Sequence, residues 1–209
     1  MKQVYVYVEG PSDKLALESL LKPLVVRKFS ETVFIDFFPL DSQRNVHLKG
    51  TKKAIGILRN QGHYQVVLLP DLYPPFNGAR TIEELKESVI ARFKSEAELL
   101  NISDIDFLLQ RFHVHCFKHD LEVLLLAAKE AMSAYLQVHT LTAAWRIPEE
   151  EQNHDQPPKR ITERLFRERN RKYKDTIDAE AILRNVDYKI LVEKCPESFG
   201  VFVNFLEGQ

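Results

Sequence analysis

The chain has 209 residues, 44% of them hydrophobic and 28% charged, with a formal net charge of −1. That is enough apolar content for a sizeable core and sets aside global disorder, while the near-neutral balance means that any basic surface must be local. The two cysteines, Cys116 and Cys195, lie far apart and outside any CxxC spacing, which argues against a disulfide framework or a zinc site. No apolar run is long enough to cross a bilayer, and the amino terminus enters a strand with no signal-peptide pattern, so the expected location is the cytoplasm.

Val4, Val6 and Val8 stand in an uncharged run of β-formers, the pattern of a strand buried on both faces of a parallel sheet. The run stops at Glu9-Gly10-Pro11, where Gly10 tolerates unusual backbone angles and Pro11 cannot extend a ladder. Ser12 or Asp13 can then cap a helix over Lys14–Leu21. Thr32–Leu40 reads as a second strand and Lys52–Gln61 as a helix after the polar stretch Asp41–Thr51. Val66–Leu69 reads as a third strand ending at Pro70-Asp71, and the turn-formers of Asp71–Arg80 predict a loop. Thr81 and Glu84 resemble a capping box opening a long amphipathic helix. Phe112–Phe117 is a fourth predicted strand, after which His119-Asp120-Leu121-Glu122 opens a helix. This alternation predicts an α/β fold, a Rossmann-like central parallel sheet flanked by helices. Beyond Ala131 no strand pattern appears. Glu149–Pro158 reads as a flexible loop, and Arg160–Arg171, Asp178–Asn185, Lys189–Lys194 and Phe199–Leu206 as helices. The chain therefore divides into an α/β part, 1–130, and a helical carboxyl-terminal extension, 131–209, packed on the same domain.

Three acids recur at one kind of place: Glu9 after strand one, Asp71 after strand three, Glu122 shortly after strand four. In a parallel sheet these positions share a rim, where open α/β folds bind ligands. Converging carboxylates repel one another unless a divalent cation neutralises them, and Mg²⁺ or Mn²⁺ suits an all-oxygen set. Two such cations would activate a water and stabilise a leaving oxygen in phosphodiester cleavage. Taken singly, Glu9 and Asp71 also read as turn residues, and Asp120 and Glu122 as residues favoured at a helix start.

A second feature is basic. Lys159–Lys174 carries eight Lys and Arg against two Glu, a local +6 that leaves −7 for the rest. On a continuous helix Arg160, Arg164, Arg167 and Arg171 share one face, and with Lys172 and Lys174 they form a candidate phosphate-binding stripe. Phe166 or Tyr173 would then stack on an unpaired base. The alternative is a solvated face paired to the acidic loop Glu149–Glu151. Lys159, next to the loop Glu149–Pro158, is the candidate cation for charge on a scissile phosphate. His113 and His115 project to one face of a strand, yet no acid or cysteine completes a zinc set. Neither GxSxG nor GxxxxGK[ST] is present, which argues against serine-hydrolase and P-loop ATPase chemistry.

The opening VYVEGPSDK resembles the first motif of TOPRIM domains, the metal-dependent folds of topoisomerases, primases and OLD-family nucleases. VVLLPDLYPPFNG, HVHCFKHDLEVLLL, PPKRITERLF and CPESFGVFVNFLE are similar to successive blocks of a short prokaryotic TOPRIM family of unknown function, the RloG type. The resemblance covers nearly the whole chain. It implies a TOPRIM-like fold, with Glu9 as a metal ligand that also handles protons. It further implies Asp13, Asp71 and Glu122 as metal ligands. Tyr73 departs from the pattern, standing where the second aspartate of an Asp-x-Asp pair belongs, and Asp120 is a candidate substitute. The function implied is a Mg²⁺- or Mn²⁺-dependent nuclease catalysed by Glu9, Asp71 and Lys159. It would act on DNA or alternatively RNA, in anti-phage defence or DNA repair beside a separate ABC-type ATPase. A non-catalytic nucleic-acid-binding or sensor subunit, and an RNA-processing enzyme, are the competing readings. Whether the chain self-associates as a homo-oligomer is left open.

Overall fold

The computed structural model describes residues 1–40, 45–73, 78–152 and 155–209. Parts of the polar stretch Asp41–Thr51 and of the two expected loops, at 41–44, 74–77 and 153–154, lie outside the described residues. Strands β1 (Lys2–Val8), β2 (Val33–Pro39), β3 (Tyr64–Leu69) and β4 (Phe112–Val114) form a parallel sheet in the order β2-β1-β3-β4. The period-2 alternation of β1 divides its side chains between two cores. Val4, Val6 and Val8 pack with helices α1 (Pro11–Leu20) and α2 (Lys22–Ser30). Tyr7 points the other way, into the layer of α3 (Thr51–Asn60) and α4 (Ile82–Leu99). Helices thus cover both faces, and the strand order reverses between β1 and β3.

Local chemistry sets the element ends. Helix α1 starts at Pro11, whose fixed φ suits a first helical position, with Gly10 as N-cap. Asp13, inside the first turn rather than ahead of it, reaches back to accept the Gly10 amide at 2.9 Å. The helix therefore begins three residues earlier than the sequence predicts. A second helix, α2, follows immediately, with Pro23 in its first turn. The cap predicted at Thr81 is present: its hydroxyl accepts the Glu84 amide at 3.1 Å. Strand β4 is shorter than expected. A short helix, α5 (Ile105–Leu109), precedes it.

After β4 the described residues are helical or irregular: α6 (Val123–Ala127), α7 (Lys129–Tyr135), α8 (Pro158–Arg167), α9 (Glu180–Leu183), α10 (Tyr188–Lys194) and α11 (Val201–Glu207). Residues of these helices, from Val123 to Leu206, share one buried cluster with Val4, Val6 and Val8. Each fully buried Leu or Phe of that cluster contributes roughly 1.5–3 kcal/mol. The segment Glu149–Glu151 is a short turn anchored at its centre. The Glu150 carboxylate is buried and accepts the Glu197 and Ser198 amides, each at 2.9 Å, and the Ser198 hydroxyl. Lys118 pairs with both Glu151 and Glu197. The acidic turn thus finds its partners here and in the carboxyl-terminal region, not along the basic stripe.

The basic segment departs from the predicted helix. Helix α8 ends at Arg167, and Asn170 at φ 53° turns the chain through the left-handed region. Arg171 consequently leaves the stripe. Its guanidinium lies 4.8 Å from the Tyr135 ring centre and 3.6 Å from Asp178. Phe166 and Tyr173, expected to stack on a base, are core residues at 0% and 8% exposure. Among the described residues no helix is long and apolar enough to cross a membrane.

Candidate active site

Glu9 leaves the carboxyl end of β1 and Asp71 that of β3, on either side of the point where the strand order reverses. The Asp71 amide donates to Glu9 Oε1 at 2.8 Å, tying one strand end to the next. Beyond β3 the ladder continues in reduced form. Asp71 bridges in parallel to Phe117, the Leu72 amide donates to the Phe117 carbonyl at 2.9 Å, and the Tyr73 amide donates to the His119 carbonyl at 3.2 Å. These bonds carry Asp120 and Glu122 to the same rim. Asp13 arrives from the first turn of α1 and Lys159 from the first turn of α8. Glu9, Asp13, Asp71, Tyr73, Asp120, Glu122, Lys159 and Asp175 line one cleft of about 510 Å³.

The electrostatics of this recess are those of crowded acids. Burial, with the charge of Asp13 added, raises the Glu9 carboxyl to about 8, against the opposing Asp71 amide. Asp71 is pushed well above the usual carboxylate range by burial and then by the Glu9 charge. Burial and the neighbouring Glu122 do the same to Asp120. Asp13 and Glu122 shift upward for the same first reason, each partly offset: Asp13 by the Gly10 amide, Glu122 by Lys159. Lys159 is the answering charge. Its Nζ lies 3.2 Å from Asp175 Oδ2 and 3.5 Å from Glu122 Oε1, and its amide donates to Asp120 Oδ2 at 3.3 Å. Burial alone would lower its pKa, but Glu122 and Asp175 outweigh it and raise it.

Among the described residues, no three Asp, Glu, His or Cys side chains stand close enough together to hold a metal ion as they are. The donor chemistry still fits a hard divalent cation. The ligand atoms are oxygens, negative charge is in excess, and Asp120 Oδ1 is buried without a hydrogen-bond partner. Neither His113 nor His115 lines the cleft. His113 meets Gln65 at 2.5 Å, His115 packs against Phe202 and Phe205, and burial lowers their pKa to about 4 and about 3.

A second recess of about 360 Å³ runs along α8, lined by Gln156, Arg160, Ile161, Glu163, Arg164 and Arg167. Arg160 and Glu163 line both recesses, so the acidic cleft opens into an arginine groove. Lys172 and Lys174 are exposed but lie beyond the helix and line neither recess. Of the acids at the cleft, Asp175 has no strand-end signal in the sequence. Its one mark is that it is the first acid after the basic run.

A parallel sheet with acids and a lysine at its reversal point defines the class: an α/β protein with an acidic cleft at the carboxyl rim of the sheet, the place where open sheets of this kind bind ligands. Its fold is that of the carboxyl-terminal regions of OLD proteins. The region from Burkholderia pseudomallei superposes with a TM-score of 0.54 at 11% identity, over 98% of this chain and 97% of that one. The region from Xanthomonas campestris pv. campestris gives 0.50 at 13% identity, over 99% and 97%. The chain belongs to the family described as Domain of unknown function (DUF4276), whose model matches residues 8–207. No curated protein matches it.

Proposed function

We propose that this protein is a TOPRIM-type, metal-dependent nuclease that hydrolyses phosphodiester bonds in nucleic acid, DNA in preference to RNA. The observation that carries the reading is the junction of two recesses: a carboxylate-rich cleft holding a lysine, opening into a groove lined by three arginines. A phosphodiester backbone needs cations along its path and a charged catalytic pocket at one phosphate, and this surface offers both in sequence. Mg²⁺ or Mn²⁺, held by Glu9, Asp71 and a further acid, would supply Lewis acidity and a more acidic bound water. In the metal-free cleft burial and neighbouring acids raise Glu9 to about 8; a bound cation would lower it and hold the carboxylate ionised, the form that both ligates metal and can accept a proton. Lys159 is held beside the acids, where its ammonium can stabilise charge on the phosphate. Arg160, Arg164 and Arg167 hold the strand. The setting that fits the RloG-type resemblance is anti-phage defence or DNA repair, beside a separate ABC-type ATPase.

Incubating the protein with plasmid, single-stranded DNA and RNA in Mn²⁺ tests the reading. Wild type is expected to nick DNA, and a folded Glu9→Ala protein is expected not to. Cleavage of RNA alone would convert the reading into RNA processing. One observation favours a second reading. Tyr73 stands where a further carboxylate would, and no three ligands are preassembled among the described residues. A non-catalytic nucleic-acid-binding subunit would bind DNA yet leave it intact in both forms.

A further inference from the structure

Between Asp41 and Asp71 the sequence carries no Asp or Glu, but it carries Arg44, Lys49, Lys52, Lys53 and Arg59. Set beside the +6 of Lys159–Lys174, this +5 leaves −12 for the remaining residues, so net positive charge is gathered in two segments. The fold puts them on opposite faces of the sheet. Helix α8 buries Ile161 and Leu165 with Val4, Val6 and Val8, whereas α3 buries Ala54, Ile55 and Leu58 with Tyr7. Lys52, Lys53, Gly56 and Arg59 recur at helical spacing on the exposed side of α3, with Lys49 exposed one turn ahead. Among the described residues, only Lys52 of these cations meets an acid, Glu96 at 3.7 Å, whose carboxylate also pairs with Arg92 at 3.0 Å. Two contacts fix where this face lies. A Cβ on Gly50 would stand 3.0 Å from Leu68 and 3.3 Å from Leu40, so the turn that carries Lys49 is pressed against the carboxyl end of the sheet. The Lys53 ammonium lies over the Tyr7 ring, 5.7 Å from its centre, and Tyr7 stands on β1 two positions before Glu9. The lysine end of α3 therefore meets the rim that bears the cleft.

We propose that this face of α3 is a second phosphate-binding surface, which takes the nucleic-acid backbone where it leaves the acidic cleft on the side of the sheet away from α8. The inference rests on the nuclease reading and extends it. A backbone seated on Arg160, Arg164 and Arg167 reaches the cleft at Lys159, and across the rim the next cations are those of α3. The acids of the cleft repel phosphates, so positive charge on both sides of it holds in place a polyanion that the cleft alone would turn away. Ammonium groups on flexible stems suit this task, since they follow a phosphate as point charges without fixing its orientation. Gly56 stands in the middle of the face, and a Cβ there would meet nothing within 4 Å, so nothing in the chain's own packing covers it. Glycine also weakens a helix interior relative to alanine, which makes this position a clean place to add charge.

Fluorescence anisotropy of the full-length protein with a labelled DNA duplex in EDTA, across a salt series, tests this without any cleavage. Wild type is expected to bind. In a triple variant with Lys49→Gln, Lys52→Gln and Lys53→Gln, the slope of log affinity against log salt is expected to fall by about two to three. Gly56→Glu adds a carboxylate where the fold has room for it, and is expected to weaken binding by roughly threefold or more at low salt. Gly56→Ala is expected to keep the wild-type affinity and to raise the melting temperature. A triple variant with the wild-type slope would overturn the proposal and leave the nuclease reading standing on the arginines of α8. So would a Gly56→Glu protein that binds like wild type, or an equal loss in Gly56→Ala, which would show that charge is not the cause. Variants that keep their DNA affinity but no longer sediment with anionic lipid vesicles would assign the face to a membrane surface and overturn the proposal as well. Wild type that binds no DNA would remove the nuclease reading and this proposal with it. The comparison of Gly56→Glu with Gly56→Ala decides the matter even if the triple variant fails to fold.

Discussion

The two recesses that meet at Arg160 and Glu163 are built in opposite ways. The acids of the cleft come from separate parts of the chain, at positions 9, 13, 71, 120, 122 and 175, and several are fixed by backbone amides. The groove comes from one helix and Gln156 just ahead of it, with Arg160 and Arg167 exposed. Catalysis asks for reacting groups placed to a fraction of an ångström, which only a folded sheet can impose on residues so distant in sequence. Holding a polyanion asks only for positive charge along a line, which a single helix supplies.

That contrast can be broken from either side. The largest effect is expected in the cleft, where Glu9→Gln should reduce the rate of DNA cleavage by roughly 10²–10⁴-fold with little change in DNA affinity. A variant that loses affinity and keeps its rate would reverse the assignment of the two recesses. In the groove, replacing Arg160, Arg164 and Arg167 together by alanine should weaken DNA binding whatever the sequence. Fluorescence anisotropy across a salt series should show the logarithmic slope falling by about one per arginine. An unchanged slope would mean that the strand takes another route.

Titration separates the recesses as well. Glu9 has an ordinary value of 4.5 and a folded value of about 8, so between these pH values the folded chain holds more protons than the unfolded one. Metal-free stability should therefore fall as pH rises from about 4.5 to about 8. Asp13, Asp71, Asp120 and Glu122 shift the same way and steepen the fall. Saturating Mg²⁺ should flatten it, and a metal-free melting temperature that climbs through the window would contradict the crowding of acids. The smallest effect is expected at Arg171. Because it lies over Tyr135 and beside Asp178, Arg171→Ala should cost about 0.5–1 kcal/mol of stability and leave DNA binding unchanged.

The sheet was legible because its signals are local. An uncharged β run closed by Glu9-Gly10-Pro11 marks a strand end, and a parallel sheet places all such ends on one rim. That logic accounts for Glu9 and Asp71 sharing a cleft, and the short ladder past Asp71 adds Asp120 and Glu122. Helix α2 was hidden because Lys22-Pro23 reads as a break, although proline suits a first turn. Asp175 could not be found from periodicity, since its place depends on a tertiary contact with Lys159 across 16 positions. The stripe was overextended for a related reason. Asn170 carries a helix-end signal, since Asn is one of the few residues that enter the left-handed region readily, but only the packed structure shows Phe166 and Tyr173 turned into the core.

Lys159 grips the acidic floor twice, by its amide and by its ammonium, and it stands in the first turn of the helix that carries the arginines. The reacting position and the strand-holding side chains are thereby mounted on one rigid bracket. On the proposed nuclease reading, each break would fall at a constant offset from the phosphates that the arginines hold.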